Sequence, residues 1–272
     1  MGRSLKILIT AGGTSERIDD VRRIANSATG RLGAMACEAF AASGRDTGIT
    51  YICSAGATRP RIAGNQSRQG CQGDGSYVRV IVADDVGAVR DAVLGACGET
   101  AFDIIVHSMA IGDYQVRAVS DAGLMAGGVI ERLSLLACGD SSSPEEAVRD
   151  ALLSPPALNE SKISSDKENL VVVLERAPKI IALLRGLAPG AVIVGFKLLS
   201  GAGDEELARA GHALLVKNDC DFVLANDMRT VRTDSHEGLL VARDGSFERA
   251  TGKGAIASLI VERALERVAA AL

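Results

Sequence analysis

Four stretches of this sequence gather residue types that bind or activate a ligand. Ala11-Gly-Gly-Thr14 follows a short apolar run. Its glycines let backbone N–H groups approach a phosphate, and the same residues also make plain tight turns. The second stretch, Asp20-Val-Arg-Arg-Ile-Ala-Asn26-Ser-Ala-Thr-Gly30-Arg-Leu-Gly33, sets a carboxamide, two hydroxyls and two glycines just before a helix-forming segment. A helix N-terminus there offers unpaired N–H groups and partial positive charge to a nucleotide phosphate, unless Ser27 or Thr29 simply caps it. In His107-Ser-Met-Ala-Ile-Gly-Asp-Tyr114, Asp113 can accept hydrogen bonds from a substrate hydroxyl or amide, or cap a turn. His107 reads as a buried strand-end histidine. The fourth group is Gly195-Phe-Lys197 with Ala225-Asn-Asp227. Phe196 can lie flat on a base and Asn226 can bond a base or sugar; the plainer alternatives are a core Phe and a turn Asn. No Ser/His/Asp or Cys/His relay stands out, so covalent hydrolase chemistry has little support. Amides and glycines instead suit polarising a nucleotide-activated carbonyl.

These residues sit where strands give way to helices. Lys6–Thr10, Thr47–Cys53, Val78–Val82, Phe102–His107, Leu170–Leu174, Ala191–Phe196 and Asp221–Ala225 read as short, mostly apolar strands. Helices are expected from Gly30 to a stop at Gly44, from a cap at Asp84 to about Cys97, from Pro178 to near Leu187, over Asp204–Val216 and over Gly254–Ala271. A hairpin is expected around Asp244-Gly245. Residues 54–76, rich in Gly, Ser, Gln, Asn and Arg, read as a long surface loop. Residues 116–168 show no clean period and contain Gly127-Gly128, Ser141-Ser-Ser143 and Pro155-Pro156, which marks a long lid-like insertion. The alternation predicts an α/β, Rossmann-like, mainly parallel sheet with helices on both faces and a C-terminal antiparallel edge hairpin. Residues 1–272 are expected to form a single domain with a flap at about 116–168. In such sheets ligands bind beyond the carboxyl ends of the strands.

Composition narrows the partners. The 272 residues are 47% hydrophobic and 24% charged, which is globular rather than disordered. Aromatics are only 3%, with no Trp, so stacking platforms for nucleic acid are scarce. The net charge of -4 gives no global attraction to nucleic acid or an acidic membrane. No stretch has the roughly 18 apolar residues of a membrane span, and the first residues lack a signal peptide's apolar length. Six scattered cysteines without a C-x-x-C pair and three isolated histidines suggest neither a disulfide framework nor a zinc site. The expected location is the cytoplasm, and the expected cysteines are mostly buried free thiols.

The segment Ala11–Gly33 resembles the opening signature of the phosphopantothenate–cysteine ligase (phosphopantothenoylcysteine synthetase) family. Further matches follow in order: His107–Tyr114, Lys162-Ile-Ser-Ser165, Ala177-Pro-Lys-Ile180, Gly195-Phe-Lys-Leu-Leu199 and Lys217-Asn-Asp-Cys-Asp-Phe-Val-Leu-Ala-Asn-Asp227. Together they span nearly the whole chain, which looks most like the stand-alone bacterial form without the fused decarboxylase. The resemblance implies use of CTP and Mg²⁺ to join 4′-phosphopantothenate to L-cysteine through an acyl-cytidylate, in coenzyme A biosynthesis. It also implies a homodimer, while the composition leads to the expectation of no nucleic-acid and no membrane partner. By motif, Gly12, Gly30 and Gly33 would line the nucleotide phosphates, Phe196 and Asn226 would hold the base and ribose, and Lys217 would add positive charge. Asn26 and Arg22 would stabilise the activated carbonyl and the substrate. Met109, Ala110 and Asp113 would grip phosphopantothenate, and Lys162 would be the lysine of a closing flap. Metal ligands are not assigned.

The sequence departs from the family in places. Ala28 stands where relatives commonly have Ser, Ile111-Gly112 replaces a more usual Val followed by Ser or Ala, and Ser164-Ser165 and Ala213 stand where fused enzymes carry lysines. CTP use is therefore an inference from the motif set. Two rival readings stay open. One is a nicotinamide-dependent oxidoreductase, suggested by Gly30-x-x-Gly33, although a G-x-G-x-x-G fingerprint is missing. The other is a non-catalytic nucleotide-binding protein on the same fold.

Overall fold

The computed structural model describes residues 3–62, 76–138, 142–158, 160–231 and 236–271. In chain order the first elements are β1 (Leu5–Ala11), β2 (Ser15–Arg17), β3 (Arg23–Ala25), α1 (Arg31–Ala41), β4 (Thr47–Cys53), β5 (Tyr77–Val82), α2 (Val86–Glu99) and β6 (Ile104–His107). Then come β7 (Tyr114–Asp121), α3 (Ala122–Ala137), α4 (Pro144–Leu153), β8 (Leu170–Arg176), α5 (Ile181–Leu187) and β9 (Val192–Leu199). The last are α6 (Asp204–Asn218), β10 (Phe222–Asp227), α7 (Met228–Val231), β11 (Glu237–Ala242), β12 (Phe247–Thr251) and α8 (Lys253–Ala269). These form two compact units: Met1–Thr14 with Asn26–Ile111 and Lys179–Leu272, and Ser15–Ala25 with Gly112–Pro178.

The first unit is built on an eight-stranded sheet in the order β12-β11-β10-β9-β6-β1-β4-β5. From β5 to β10 every neighbouring pair is parallel, while β11 and β12 are antiparallel. The expected Rossmann-like sheet and edge hairpin are therefore both present. Helices cover both faces because strand side chains alternate. Leu5, Ile7 and Ile9 join Val192, Val194 and Leu224 in a core closed by Phe40 of α1 and by Ile256, Ile260 and Ala264 of α8. On the other face α6 packs through Leu207 against Ala225, Leu239 and Val241. The running order reverses between β1 and β6, and a crevice opens at the carboxyl ends at such a point.

Asp221, just before β10, takes the guanidinium of Arg185 at 2.8 Å and the Ile193 N–H at 3.0 Å, which fixes the start of β9 against that of β10. The α2 cap lies one residue later than expected. Asp85, in extended conformation, accepts the Ala88 N–H at 2.7 Å, while Asp84 instead binds the Ala55 N–H at 2.8 Å. Cys37, Cys53 and Cys220 are buried free thiols, Cys97 is half-buried and Cys138 exposed. Burial pushes the Cys37 thiol up to about 12 and that of Cys220 to about 11, so both stay protonated and unreactive at neutral pH.

The second unit corrects the reading of 116–168 as a stretch without regular structure. Residues 116–168 hold most of β7, all of α3 and all of α4. Helix α3 has no buried residue, so its sequence shows no contrast between two faces. Helix α4 opens with Pro144 behind a Ser143/Glu146 capping box. Leu170–Leu174 is a strand as expected, but it belongs to β8, which pairs antiparallel with β7 in a separate two-stranded sheet. Of the expected loop at 54–76, residues 63–75 lie outside the described residues, as does Cys71. No helix among the described residues is long and apolar enough to cross a membrane.

Candidate functional site

The C-terminal edge of the main sheet gathers the first candidate group. After β1 the chain turns at Gly12, whose φ of +95° lies in the left-handed region. A Cβ there would meet Ser54 Oγ at 2.4 Å and Ala57 Cβ at 2.8 Å. Gly30, the αL N-cap of α1, lies directly against this turn, since a Cβ on it would fall 2.8 Å from the Gly12 nitrogen. Gly33, in the first turn of α1, abuts Ala11 and Ser108 closely enough that its Cβ would sit 2.7 and 2.6 Å from them. The three glycines therefore bring the β1 turn and the α1 N-terminus into main-chain contact. No side chain caps α1, and its first turn holds no acidic residue. Thr29 Oγ1 reaches only the Arg31 N–H, at 3.4 Å. Apart from that one long bond, neither Ser27 nor Thr29 caps the helix, and the helix end keeps the positive dipole that suits an anion.

Beside these glycines, the β6 end is laced to the β1 end. The Ser108 N–H donates to Thr10 O at 3.1 Å, the Ala110 N–H to Gly12 O at 2.8 Å and the Thr14 N–H to Ala110 O at 3.0 Å. The Met109 N–H reaches Thr10 Oγ1 at 3.3 Å, and Thr10 Oγ1 also lies 2.9 Å from His107 Nδ1. Asn26 joins this lacing twice. Its N–H donates to Thr14 O at 2.9 Å, and its Nδ2 donates to Ala110 O at 3.3 Å. Its side chain is otherwise exposed. Met109 is buried and Ala110 half-buried, so this strip offers main chain more than side chain.

Phe196 and Asn226 lie near the same edge. Alternation along β9 and β10 places them on the α1/α8 face, with Phe196 half-buried against the core cluster. Asn226 is buried, and its Nδ2 lies 3.1 Å from His236 Nε2. Asp227, next in the strand, accepts the Ala202 N–H at 2.7 Å and the guanidinium of Arg229, whose bond holds its carboxyl far below the usual range. Lys217 is not brought to this edge. It is exposed in the last turn of α6, whose chain then enters the opposite, N-terminal end of β10.

Arg22, Asp113 and Lys162 belong to the second unit. Asp113 is exposed at the start of β7, and its carbonyl accepts the Ala177 N–H at 3.0 Å. Arg22 ends the turn between β2 and β3, and its Nη2 donates to Ile163 O at 3.3 Å. Lys162 is exposed. The buried Asp19 lies between them. Burial would raise its carboxyl, but N–H groups of Val21, Arg22 and Ile163, with the Arg22 charge, hold it below the usual range. Asp19, Thr10, Ser54 and His236 are supporting residues that sequence reading missed. Of these only Asp19 lies within the Ala11–Gly33 segment.

Two buried histidines give the molecule an acid-sensitive range. Burial lowers His107 and His236 from 6.5 to about 4, the latter helped by the Lys253 charge. Between these values the unfolded chain binds the extra proton. Stability is therefore full above pH 6.5 and falls as pH drops toward 4, by about 1.4 kcal/mol per unit for each histidine. The urea midpoint is expected to fall between pH 7 and pH 5, with a shallower slope in His107→Asn. An unchanged midpoint would contradict the buried neutral state. Among the described residues no group of three or more His, Cys, Asp or Glu could hold a metal ion.

The family model described as DNA/pantothenate metabolism flavoprotein C-terminal domain matches residues 3–125 and 147–268. The chain is 25% identical over 239 residues to the coenzyme A biosynthesis bifunctional protein CoaBC of Thermococcus kodakarensis, covering 88% of this chain and 45% of that one. It is 26% identical over 244 residues to CoaBC of Mycobacterium tuberculosis, covering 89% and 47%. The chain thus spans about half the length of the curated relatives it matches. Among solved structures, the DNA/pantothenate metabolism flavoprotein from Streptococcus pneumoniae superposes with a TM-score of 0.72 at 26% identity, covering 97% of this chain and 100% of that one. A Cab2 variant in complex with phosphopantothenate-cysteine shares the fold, with a TM-score of 0.62 at 17% identity, covering 97% of this chain and 86% of that one. With the glycine-lined α1 end in place and the family model matched over most of its length, the chain belongs to the family of the DNA/pantothenate metabolism flavoprotein C-terminal domain.

Proposed function

We propose that this chain joins 4′-phosphopantothenate to L-cysteine with CTP, as a step of coenzyme A biosynthesis. The observation that carries the reading is the uncapped α1 N-terminus, held against Gly12 by Gly30 and flanked by the Asn26 amide. A carboxylate is a poor electrophile. In the first step its oxygen attacks the α-phosphorus of CTP, forming an acyl-cytidylate and releasing pyrophosphate. In the second, the cysteine amine attacks the acyl carbon, the C–O bond to CMP breaks, and the amine loses its proton. Neither step needs a protein nucleophile; both need positioning and stabilisation of developing negative charge.

Gly12, Gly30 and Gly33 would present main-chain donors to the phosphates, and Phe196 and Asn226 would receive the base and ribose. Asn26 would donate to the oxygen that gains charge on the acyl carbon. Arg22, Asp113 and Lys162 keep the substrate roles implied by the motifs, whereas Lys217 is left out of the phosphate site because of its place on α6. Mg²⁺, a hard cation that prefers oxygen ligands, would come with the triphosphate and neutralise its charge.

The test omits cysteine. Protein, Mg²⁺, CTP and 4′-phosphopantothenate are mixed and the acyl-cytidylate is sought by mass spectrometry, with ATP in parallel. Formation of the cytidylate, discharged to CMP on adding cysteine, is the expected result. A reaction with ATP alone would overturn the nucleotide assignment. No intermediate and no pyrophosphate, even with cysteine restored, would overturn the ligase reading.

A further inference from the structure

Asp19 is buried at the base of the β2–β3 turn, and each of its carboxylate oxygens has a separate task. Oδ1 closes the local turn, accepting the Val21 N–H at 2.8 Å and the Arg22 N–H at 2.6 Å. This is the usual bonding of an Asx turn and needs no charge. Oδ2 reaches across the sequence. It accepts the Ile163 N–H at 3.2 Å and lies 3.4 Å from Nη1 of Arg22. Two more bonds run alongside: the Asp20 N–H donates to Ser161 O at 2.9 Å, and Arg22 Nη2 donates to Ile163 O at 3.3 Å. Lys162 is thus gripped through the main chain on both sides, at Ser161 and at Ile163. Ile163 itself is 1% exposed and anchors the strand of chain by its side chain. Lys162, between the two, points no bond of its own into this network among those described.

We infer that Asp19 is a positioning residue: its Oδ2 fastens the main chain on which Lys162 rides to the turn that carries Arg22, so that the two cations are set as one unit. This rests on the proposed reading in which Arg22 and Lys162 act on the substrate. The lysine segment is, on this view, fastened at its base, and freedom is left to the Lys162 side chain. A buried charge whose partners are removed is costly, so Asp19 holds its partners firmly.

Asp19→Asn separates the two tasks, because its remaining oxygen keeps the turn while its NH₂ faces the Ile163 N–H and the Arg22 cation. Asp19→Ser, whose single oxygen can serve only the turn, is the second variant. Each is combined with Lys162→Ala and assayed for kcat, KM for CTP, thermal midpoint and hydrogen exchange at the Ile163 amide. A loose catalytic group costs about 100-fold in rate. The expected result is a kcat loss of that order in Asp19→Asn, Asp19→Ser and Lys162→Ala alike, with KM for CTP within about threefold. The double variants should lose little more than either single one, and Ile163 exchange should quicken only in the Asp19 variants. Losses that multiply in the double variants would overturn the coupling while leaving Lys162 in the reaction. Full activity in Lys162→Ala would overturn the reading of Lys162 itself, and the inference with it.

Discussion

Gly13→Ala is expected to lower kcat/KM by about 100-fold, the scale of a misplacement of roughly 1 Å at a reacting group. The new Cβ would lie 2.1 Å from the Asn26 carbonyl oxygen and 3.0 Å from its carbon. Both are main-chain atoms, so no rotamer change relieves the clash. The loop must move, and with it the bonds that hold Asn26 to Thr14 and Ala110. Overpacking of this kind also costs about 1–3 kcal/mol of stability. Thermal denaturation and steady-state turnover with CTP measure the two effects together. A variant with a lowered melting point but wild-type turnover would show that Asn26 need not stay where Gly13 places it.

The second large effect is expected from Asn26 itself. On the proposed reading Asn26→Ala removes the amide that would donate to the oxygen gaining charge, and such donors are worth about 10²–10³ in kcat. The loss should fall on kcat, because the glycines and the α1 N-terminus that would hold the phosphates remain. Asn26→Asp is expected to be at least as damaging, since it removes the donor and adds negative charge where the proposed triphosphate would lie. Direct binding of CTP by calorimetry, set against turnover, makes the distinction for Asn26→Ala. A CTP affinity that falls in step with turnover would make Asn26 a nucleotide-binding residue and remove it from the chemistry.

The main sheet was legible because its central strands are buried on both faces and read as mostly apolar runs such as Leu5–Ala11 and Thr47–Cys53. The second unit was not legible in this way. Only Leu170–Leu174 of β8 was read there as a strand; β7 carries few buried positions and α3 none, so in those two neither a period of two nor one of 3.6 rises above the rest. The β2–β3 hairpin is only three residues to a strand. At the candidate site, Gly12, Gly30, Gly33, Asn26 and Ala110 were legible as motifs, and the structure brings them together in one unit. Lys217 shows the limit of that method. A motif carries sequence proximity to β10, but the direction of α6 places the lysine at the other end of the strand. His236 was invisible, because what pairs it with Asn226 is the antiparallel return of β11 beside β10.

The pairing of Tyr114 with Arg176 bears on how the chain folds. Strands β6 and β9 are hydrogen-bonded neighbours, yet the whole Gly112–Pro178 span is made between them. Left as coil, that span would be a long loop to close before the sheet could grow past β6, and non-local closure of this kind slows folding. Once β7 and β8 zip together, the Ala177 N–H meets Asp113 O at 3.0 Å, and the two ends of the excursion lie side by side. For the growing sheet the effective loop then shrinks to a few residues. With β7 and β8 paired, β9 is a nearly local partner for β6 despite the long span of sequence between them.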